Sequence, residues 1–303
     1  MRRRTVAVAT SVALSVVLGC VLTSCRPTSS GEHTVVTSFY PLAFIADRVA
    51  GRYNDVVDLT PPGVEPHEYE LTVRQVAQID LARVGFYEGG VAPSVDQAMV
   101  NDSPDHALDV TDVVPLSAPV SGSGVASTSD DKDPHFWQDP TLMAEATRAF
   151  ARTMAEADPE HAAYYRAQGA RLVRDLHRLD ADYARTLSSC RIGTIVVSHD
   201  AFEYLARRYG VDVVPIAGIE PDAEPSLQRL HDLATLIKDR GVTTVFFETL
   251  ASPALAESLA GDLHIDTAVL DPIEGLTSAD PHATYLTLMR QNLAALAKAG
   301  ECS

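Results

Sequence analysis

Segments with strand character alternate with segments with helical character along most of the chain, in two runs on either side of one long helical stretch. Such alternation is typical of α/β folds, because each helix returns the chain to start a parallel strand beside the last one. The long stretch begins at Asp158-Pro159, a typical helix start. It carries an apolar stripe at helical spacing, formed by Leu172, Leu176, Leu179 and Tyr183. We therefore expect an α/β protein: two lobes with parallel sheets, joined by one long rigid helix, with a cleft between them.

The apolar pattern also places the individual elements. The predicted strands are residues 35–40, 55–60, 83–87, 107–110, 192–198, 211–216, 243–247 and 267–270. The predicted helices are residues 42–49, 73–81, 141–156, 158–187, 201–209, 226–239, 253–262 and 283–299. After a signal segment over residues 1–24, this pattern predicts an N-terminal lobe (25–157), a linking helix (158–189) and a C-terminal lobe (190–303).

The N-terminus has the features of a bacterial export signal. Three arginines at positions 2–4 precede a stretch, residues 5–24, that carries no charge. Residues 22–25, LTSC, resemble a lipobox, which predicts that Cys25 is lipidated and becomes the new N-terminus. Cys20 is a rival lipidation site, and an ordinary secretory signal or an uncleaved anchor is the alternative. We expect an exported protein that is lipid-anchored to the outer face of the cytoplasmic membrane, or periplasmic.

The cysteine count supports export. Once the signal is removed and Cys25 is lipidated, only Cys190 and Cys302 remain of the 4 cysteines. Because an exported chain meets an oxidising compartment, we expect these two to form a disulfide that ties the C-terminus to the start of the second lobe. Two unpaired thiols are the alternative.

The charge of the chain limits its partners. Its 41 Asp and Glu exceed its 24 Lys and Arg, for a formal net charge of −17. Such a chain repels the phosphates of nucleic acid and raises the local concentration of cations. We therefore expect no nucleic-acid partner.

Three histidines and a glutamate follow predicted strands. His67 lies in a proline-rich loop after the second strand, and His199 directly follows the strand 192–198. His135 follows the loop 117–133, and Glu274 follows the last strand. Ligands of open α/β sheets bind at the carboxyl ends of strands, so these side chains are candidates for one site. Three imidazoles and one carboxylate suit a tetrahedral zinc site, whereas Mn²⁺ prefers more oxygen ligands.

Long motifs support this interpretation. They are TSFYPLAFIADRVAG, TPPGVEPHEYELT, DPHFWQDP, VVSHDAFEYLARRYG, GIEPDAEPS, FFETLASP and LDPIEGLT. From residue 37 to the C-terminus the chain resembles the metal-binding receptors, or solute-binding lipoproteins, of bacterial zinc and manganese ABC importers. The resemblance implies two (β/α) lobes, a rigid linking helix and one metal ion buried between the lobes. It also implies an ABC permease and its ATPase as partners.

The same resemblance implies a ligand set. By position in the motifs, His67, His135 and His199 are the first three metal ligands. Receptors with Glu at the third position are typically manganese receptors, so His199 favours zinc. Glu274 of the PIEGLT stretch is the expected fourth ligand, and Asp271 or water is the alternative. Because the ligands must be deprotonated, binding should weaken as pH falls through the usual histidine range near 6.5.

One departure from the family concerns the loop 117–133. Many zinc receptors carry a His-rich loop before the DPHFW motif, whereas this loop contains Asp130, Asp131 and Asp133 but no histidine. A flexible solvated loop is the simplest interpretation. Four further carboxylates near strand ends could orient the histidine rings: Asp200, Glu220, Glu224 and Glu248.

The sequence thus predicts a receptor that binds Zn²⁺ outside the membrane and is not an enzyme. The alternatives are a manganese or mixed zinc and manganese receptor, a zinc hydrolase with three histidines and a water, and an adhesin-like protein with a purely structural metal. The lack of a His-Glu-x-x-His helix and of a clear general base beside the histidines argues against the hydrolase.

Overall fold

The structure is a computed structural model that describes residues 33–102, 104–118, 132–219, 225–277, 280 and 282–303. The signal segment with Cys20 and Cys25, most of the loop 117–133, and both Glu220 and Glu224 lie outside these residues. Within the described ranges, none of the helices has the length and apolar composition that crossing a bilayer requires.

The first half forms a parallel sheet with the strand order β2-β1-β3-β4. Its strands are β1 (Thr34–Thr37), β2 (Asp55–Asp58), β3 (Val84–Tyr87) and β4 (His106–Asp109). The crossover helices are α1 (Tyr40–Ala50), α2 (Val73–Leu81) and α3 (Pro93–Asn101). The sequence pattern missed α3, which is short and has only Val95, Ala98 and Met99 buried.

The second half repeats this topology. Its parallel sheet has the order β6-β5-β7-β8, so in each lobe the first strand lies beside the second and third. The strands are β5 (Thr194–Val197), β6 (Asp212–Pro215), β7 (Thr244–Phe247) and β8 (Asp266–Val269). The helices are α6 (Glu203–Tyr209), α7 (Leu227–Arg240), α8 (Ala254–Leu263) and α9 (Tyr285–Ala299).

Two long helices follow the first sheet, α4 (Pro140–Ala157) and α5 (Ala162–Leu187), and α5 leads into the second half. The predicted stripe of α5 is buried, and its 26 residues span about 39 Å at 1.5 Å per residue. The helix starts later than Asp158-Pro159 predicted, because Pro159–His161 forms a separate 3₁₀ turn. A side-chain β carbon at Gly169 would lie 2.7 Å from the Ala151 β carbon, so this glycine allows α5 to approach α4 closely.

The hydrophobic core is continuous between the sheets. One cluster of buried side chains includes Val35 and Phe86 of the first sheet, and Ile195 and Phe246 of the second. Smaller clusters cover the other face of each sheet. The two-lobe α/β fold predicted from the sequence is confirmed, and the exact residues at which one lobe passes into the next stay a prediction.

A disulfide joins Cys190, just after α5, to Cys302 at the C-terminus. The backbone N–H groups of Arg191 and Ile192 donate to the carbonyl of Gly300 at 2.9 Å each, beside the bond. The disulfide thus closes α9 and the C-terminus onto the start of the second lobe, where the cysteine count predicted it.

We expect the double substitution Cys190→Ser and Cys302→Ser to lower the free energy of unfolding. The cross-link removes conformations from the unfolded chain over a sequence separation of 112 residues. The typical loss is about 2–4 kcal/mol. Urea unfolding of the oxidised wild type, the reduced wild type and the double variant measures it. Equal midpoints for the oxidised and reduced wild type would contradict the prediction.

Candidate metal centre

The structure brings together the four side chains predicted as ligands. His67 lies on the loop between β2 and α2, and His199 follows β5. His135 precedes α4, and Glu274 lies on the segment between β8 and α9. All four are buried: His67 is 7% exposed, Glu274 1%, and the other two histidines 0%.

The three imidazoles meet at one carboxylate oxygen. Oε1 of Glu274 lies 3.2 Å from Nε2 of His135, 3.4 Å from Nε2 of His199 and 3.7 Å from Nε2 of His67. His135 is the middle ring, with its centroid 5.5 Å from those of both His67 and His199. The ligand atoms of His67, His135 and Glu274 lie within 4.8 Å of one another, and so do those of His199, Glu248 and Glu274.

Several buried polar atoms at this centre lack a hydrogen-bond partner among the described residues. They are Nε2 of His67, Nε2 of His199 and Oε2 of Glu274. Buried polar atoms in proteins are nearly always paired, so a group of unpaired ones calls for an explanation. A metal ion bound by these atoms would provide it.

Two further carboxylates fix the orientation of the rings. Oδ1 of Asp133 lies 2.8 Å from Nδ1 of His135 and accepts that residue's backbone N–H at 3.0 Å. Oε1 of Glu248 lies 2.9 Å from Nδ1 of His199 and accepts the hydroxyl of Ser198 at 2.7 Å. A proton on Nδ1 leaves Nε2 available as a metal ligand, which is the usual purpose of such partners.

These partners were found only in part by sequence analysis. Glu248 was among the four candidates, and it contacts His199. Asp200 is buried, but its Oδ1 has no hydrogen-bond partner among the described residues. Asp133 was counted only as part of the preceding loop. The signal was present in the Asp-Pro-His order, since an Asp two residues before a His can bond both its backbone and its ring.

The side-chain oxygens of Asp271 have partners different from those of Glu274. Its Oδ1 accepts the backbone N–H of Ile273 at 2.8 Å, and its Oδ2 accepts the hydroxyl of Thr249 at 3.0 Å. Both oxygens therefore hold the turn that carries Glu274. The backbone φ of Ile273 is +64°, a left-handed value that is strained for a β-branched residue and is found where surrounding contacts enforce it.

The neighbouring charges shift the pKa values of these groups. Burial disfavours the charged form of the rings, but the bonds and charges of Asp133 and Glu274 outweigh it and raise the pKa of His135 to about 9. Burial is likewise outweighed by Glu248 and Glu274, which raise the pKa of His199 to about 10. Burial alone would raise the pKa of Glu274, but the imidazoles hold it well below its usual range.

The chain was compared with known protein families. The family model described as "Zinc-uptake complex component A periplasmic" (ZnuA) matches residues 35–299. The chain belongs to this family. Its membership confirms the resemblance that the sequence motifs predicted.

The sequences of individual family members are similar to that of this chain. The chain is 32% identical over 275 residues to the high-affinity zinc uptake system protein ZnuA of Bacillus subtilis, covering 86% of each chain. It is 32% identical over 281 residues to the zinc-binding lipoprotein AdcA of Streptococcus pneumoniae, covering 88% of this chain and 56% of that longer protein.

Solved structures of the family have the same fold. The Zn(II)-bound ZnuA-like domain of S. pneumoniae AdcA superposes with a TM-score of 0.75 at 30% identity, covering 89% of this chain and 100% of that one. The laminin-binding protein Lmb of Streptococcus agalactiae, described as having adhesin and metal-transporting activity, gives a TM-score of 0.78 at 27% identity. That match covers 88% of this chain and 99% of Lmb.

The raised pKa values predict that metal binding displaces two protons at pH 7, one each from His135 and His199. Zinc affinity should then rise by about a hundredfold per pH unit from pH 7 to about 8, because each displaced proton contributes a factor of ten, and less steeply as the pH approaches the His135 pKa of about 9. This range lies above the value near 6.5 expected from the sequence.

Competition titrations against a chelator of known pH dependence measure this slope. Calorimetry in two buffers with different ionisation enthalpies counts the released protons independently. An affinity that does not change between pH 7 and 9 would mean that both rings are already neutral in the metal-free protein.

Proposed function

We propose that the protein is an extracytoplasmic zinc receptor that captures Zn²⁺ and delivers it to an ABC permease driven by a cytoplasmic ATPase. The observation that carries the proposal is the convergence of three histidine Nε2 atoms on Oε1 of Glu274 in a buried site. Relatives that are named as zinc-uptake and zinc-binding proteins support it.

The distances from the Glu274 oxygen to the three ring nitrogens suit zinc. In a tetrahedral site with metal–ligand bonds of about 2.1 Å, neighbouring ligand atoms lie about 3.4 Å apart. The distances of 3.2, 3.4 and 3.7 Å from the Glu274 oxygen to the three nitrogens are close to that value. Three imidazoles favour zinc over Mn²⁺, which prefers oxygen ligands. A manganese or mixed receptor is the alternative.

The ligand set supports transport over catalysis. A catalytic zinc keeps an open position for water or substrate, whereas three histidines and Glu274 would fill all four tetrahedral positions. The hydrogen bonds that the rings of His135 and His199 donate to Asp133 and Glu248 hold them in place by protein contacts alone. A site held in this way suits an ion that enters and leaves, and we propose a receptor that is not an enzyme.

The proposal includes the arrangement at the membrane. Lipidation of Cys25 would anchor the receptor to the outer face of the cytoplasmic membrane and keep it near the permease. The proposed units are the signal peptide (1–24), the N-terminal lobe (25–157), the linking helix (158–189) and the C-terminal lobe (190–303). The disulfide between Cys190 and Cys302 agrees with an oxidising location.

Native mass spectrometry of the fragment from residue 26 onward tests the choice of ion and ligands. Offered equimolar Zn²⁺ and Mn²⁺, the metal-free fragment should retain one zinc and no manganese. His67→Ala and His199→Ala should lower zinc affinity by orders of magnitude, because each removes one of the proposed ligand nitrogens.

The exposed His231 on α7 provides the matched control, and His231→Ala should bind zinc like the wild type. Retention of manganese in preference to zinc would contradict the choice of ion. Undiminished zinc affinity in both ligand variants would contradict the site itself.

A second pair of variants tests the fourth ligand. Glu274→Gln removes the charge on which all three rings converge, and it should lower zinc affinity by at least about tenfold. Asp271→Asn keeps an oxygen that can accept the Ile273 N–H, so its effect should be smaller. Isothermal titration with a competing chelator measures both, and a larger loss in Asp271→Asn would reverse the assignment.

A further inference from the structure

One main-chain carbonyl connects the segments that carry His135 and Glu274. The carbonyl of Pro272 accepts a hydrogen bond from Nε1 of Trp137 at 2.6 Å and another from Nε2 of Gln138 at 2.5 Å. The donors follow His135 by two and three residues, and the acceptor precedes Glu274 by two. Trp137 and Gln138 are both fully buried. We call this pair of bonds the Pro272 latch.

We propose that Trp137 and Gln138 are positioning residues that fix Glu274 relative to His135 before the metal arrives. The inference rests on the proposed function, since it concerns the same metal site. Asp133 and Glu248 each orient a single ring. The latch instead sets the distance between two ligand-bearing segments that are more than 130 residues apart in sequence.

The turn that carries Glu274 needs such support. Ile273 has a φ of +64°, which a β-branched residue adopts only when its surroundings hold it there. Asp271 holds one side of the turn by accepting the Ile273 N–H. The latch holds the other side at the carbonyl of Pro272, which immediately precedes Ile273.

Helix α9 anchors both ends of the latch. The hydroxyl of Tyr285 donates to the carbonyl of Trp137 at 2.5 Å. The side-chain amide of Asn292 donates to the carbonyl of Asp271 at 2.6 Å, and its oxygen accepts the Asp271 N–H at 3.0 Å. Two side chains of one helix therefore hold the segment after His135 and the segment before Glu274. A site supported by a rigid element in this way keeps its ligands at the spacing that the metal requires.

The latch affects affinity through preorganisation. Without its bonds the turn around Ile273 would sample other conformations in the metal-free protein. Zinc would then have to order Glu274 on binding, and this ordering would reduce the affinity. Loss of outer contacts that orient ligands typically costs about 10–100-fold in metal affinity.

Gln138→Met is the direct test. Methionine keeps the unbranched shape but cannot donate to Pro272. It also removes Oε1 of Gln138, a buried atom with no hydrogen-bond partner among the described residues. We therefore expect zinc affinity to fall about tenfold while the denaturant midpoint of the metal-free protein stays the same or rises. Chelator competition on the full chain in detergent micelles measures the affinity.

A matched control and a second latch variant sharpen this test. Thr147→Val in α4 removes another buried side-chain donor to a main-chain carbonyl, that of Met143 at 2.8 Å. It should leave zinc affinity within about twofold. Trp137→Phe removes the other donor of the latch and should lower zinc affinity as Gln138→Met does.

A double-mutant cycle with Glu274→Gln separates positioning from general loosening. If Gln138 acts through Glu274, Gln138→Met should change affinity by less than about twofold once Glu274 is replaced. An equal loss in both backgrounds would overturn the inference, and so would wild-type affinity in both latch variants. In either case zinc binding by the wild type would leave the proposed function standing. No zinc binding by the wild type would overturn both proposals.

Discussion

The arrangement of the site depends on one buried carboxylate. Glu274 is 1% exposed, and a charge at such a position must be compensated because the loss of hydration costs several kcal/mol. His135 and His199 provide the compensation in the metal-free protein, and their own charges are balanced by Asp133 and Glu248. The result is a series of alternating charges, from Asp133 through Glu274 to Glu248, that crosses from one lobe to the other.

This alternation explains how a divalent ion can enter a site whose carboxylates already face positive charges. The raised pKa values of His135 and His199 correspond to two positive charges in the metal-free protein at pH 7, and a zinc ion that displaced their protons would bring the same charge. Asp133, Glu248 and Glu274 would therefore meet the same total charge before and after binding. Replacing two protons by one zinc ion would change which atoms hold the positive charge but not the total charge that is buried. The rings would therefore not need to move far from the carboxylates that orient them.

Sequence analysis predicted the parts of the site that are local. His67, His199 and Glu274 each follow a strand, and the carboxyl ends of parallel strands meet at one edge, so their convergence could be anticipated. The fold class and the Cys190–Cys302 pair were predictable for similar reasons of pattern and count. Helix α3 was missed because it buries only three residues, which leaves a weak periodic signal. The start of α5 was misplaced because a proline at a helix start is equally compatible with the 3₁₀ turn that precedes it.

The hydrogen bonds that join distant parts of the chain around the site could not be predicted from the sequence, and the Pro272 latch shows why. The donors Trp137 and Gln138 are visible in the sequence as two side chains with N–H groups close to a candidate ligand. Their acceptor is a main-chain carbonyl, and any of the roughly 300 residues could supply one, so nothing in the pattern singles out Pro272. The strained φ of Ile273 is likewise hidden, because a β-branched residue before Glu274 would ordinarily indicate an extended backbone. Residue types therefore reveal which groups can bind a metal. The distances between those groups depend on contacts that form only when both lobes have folded.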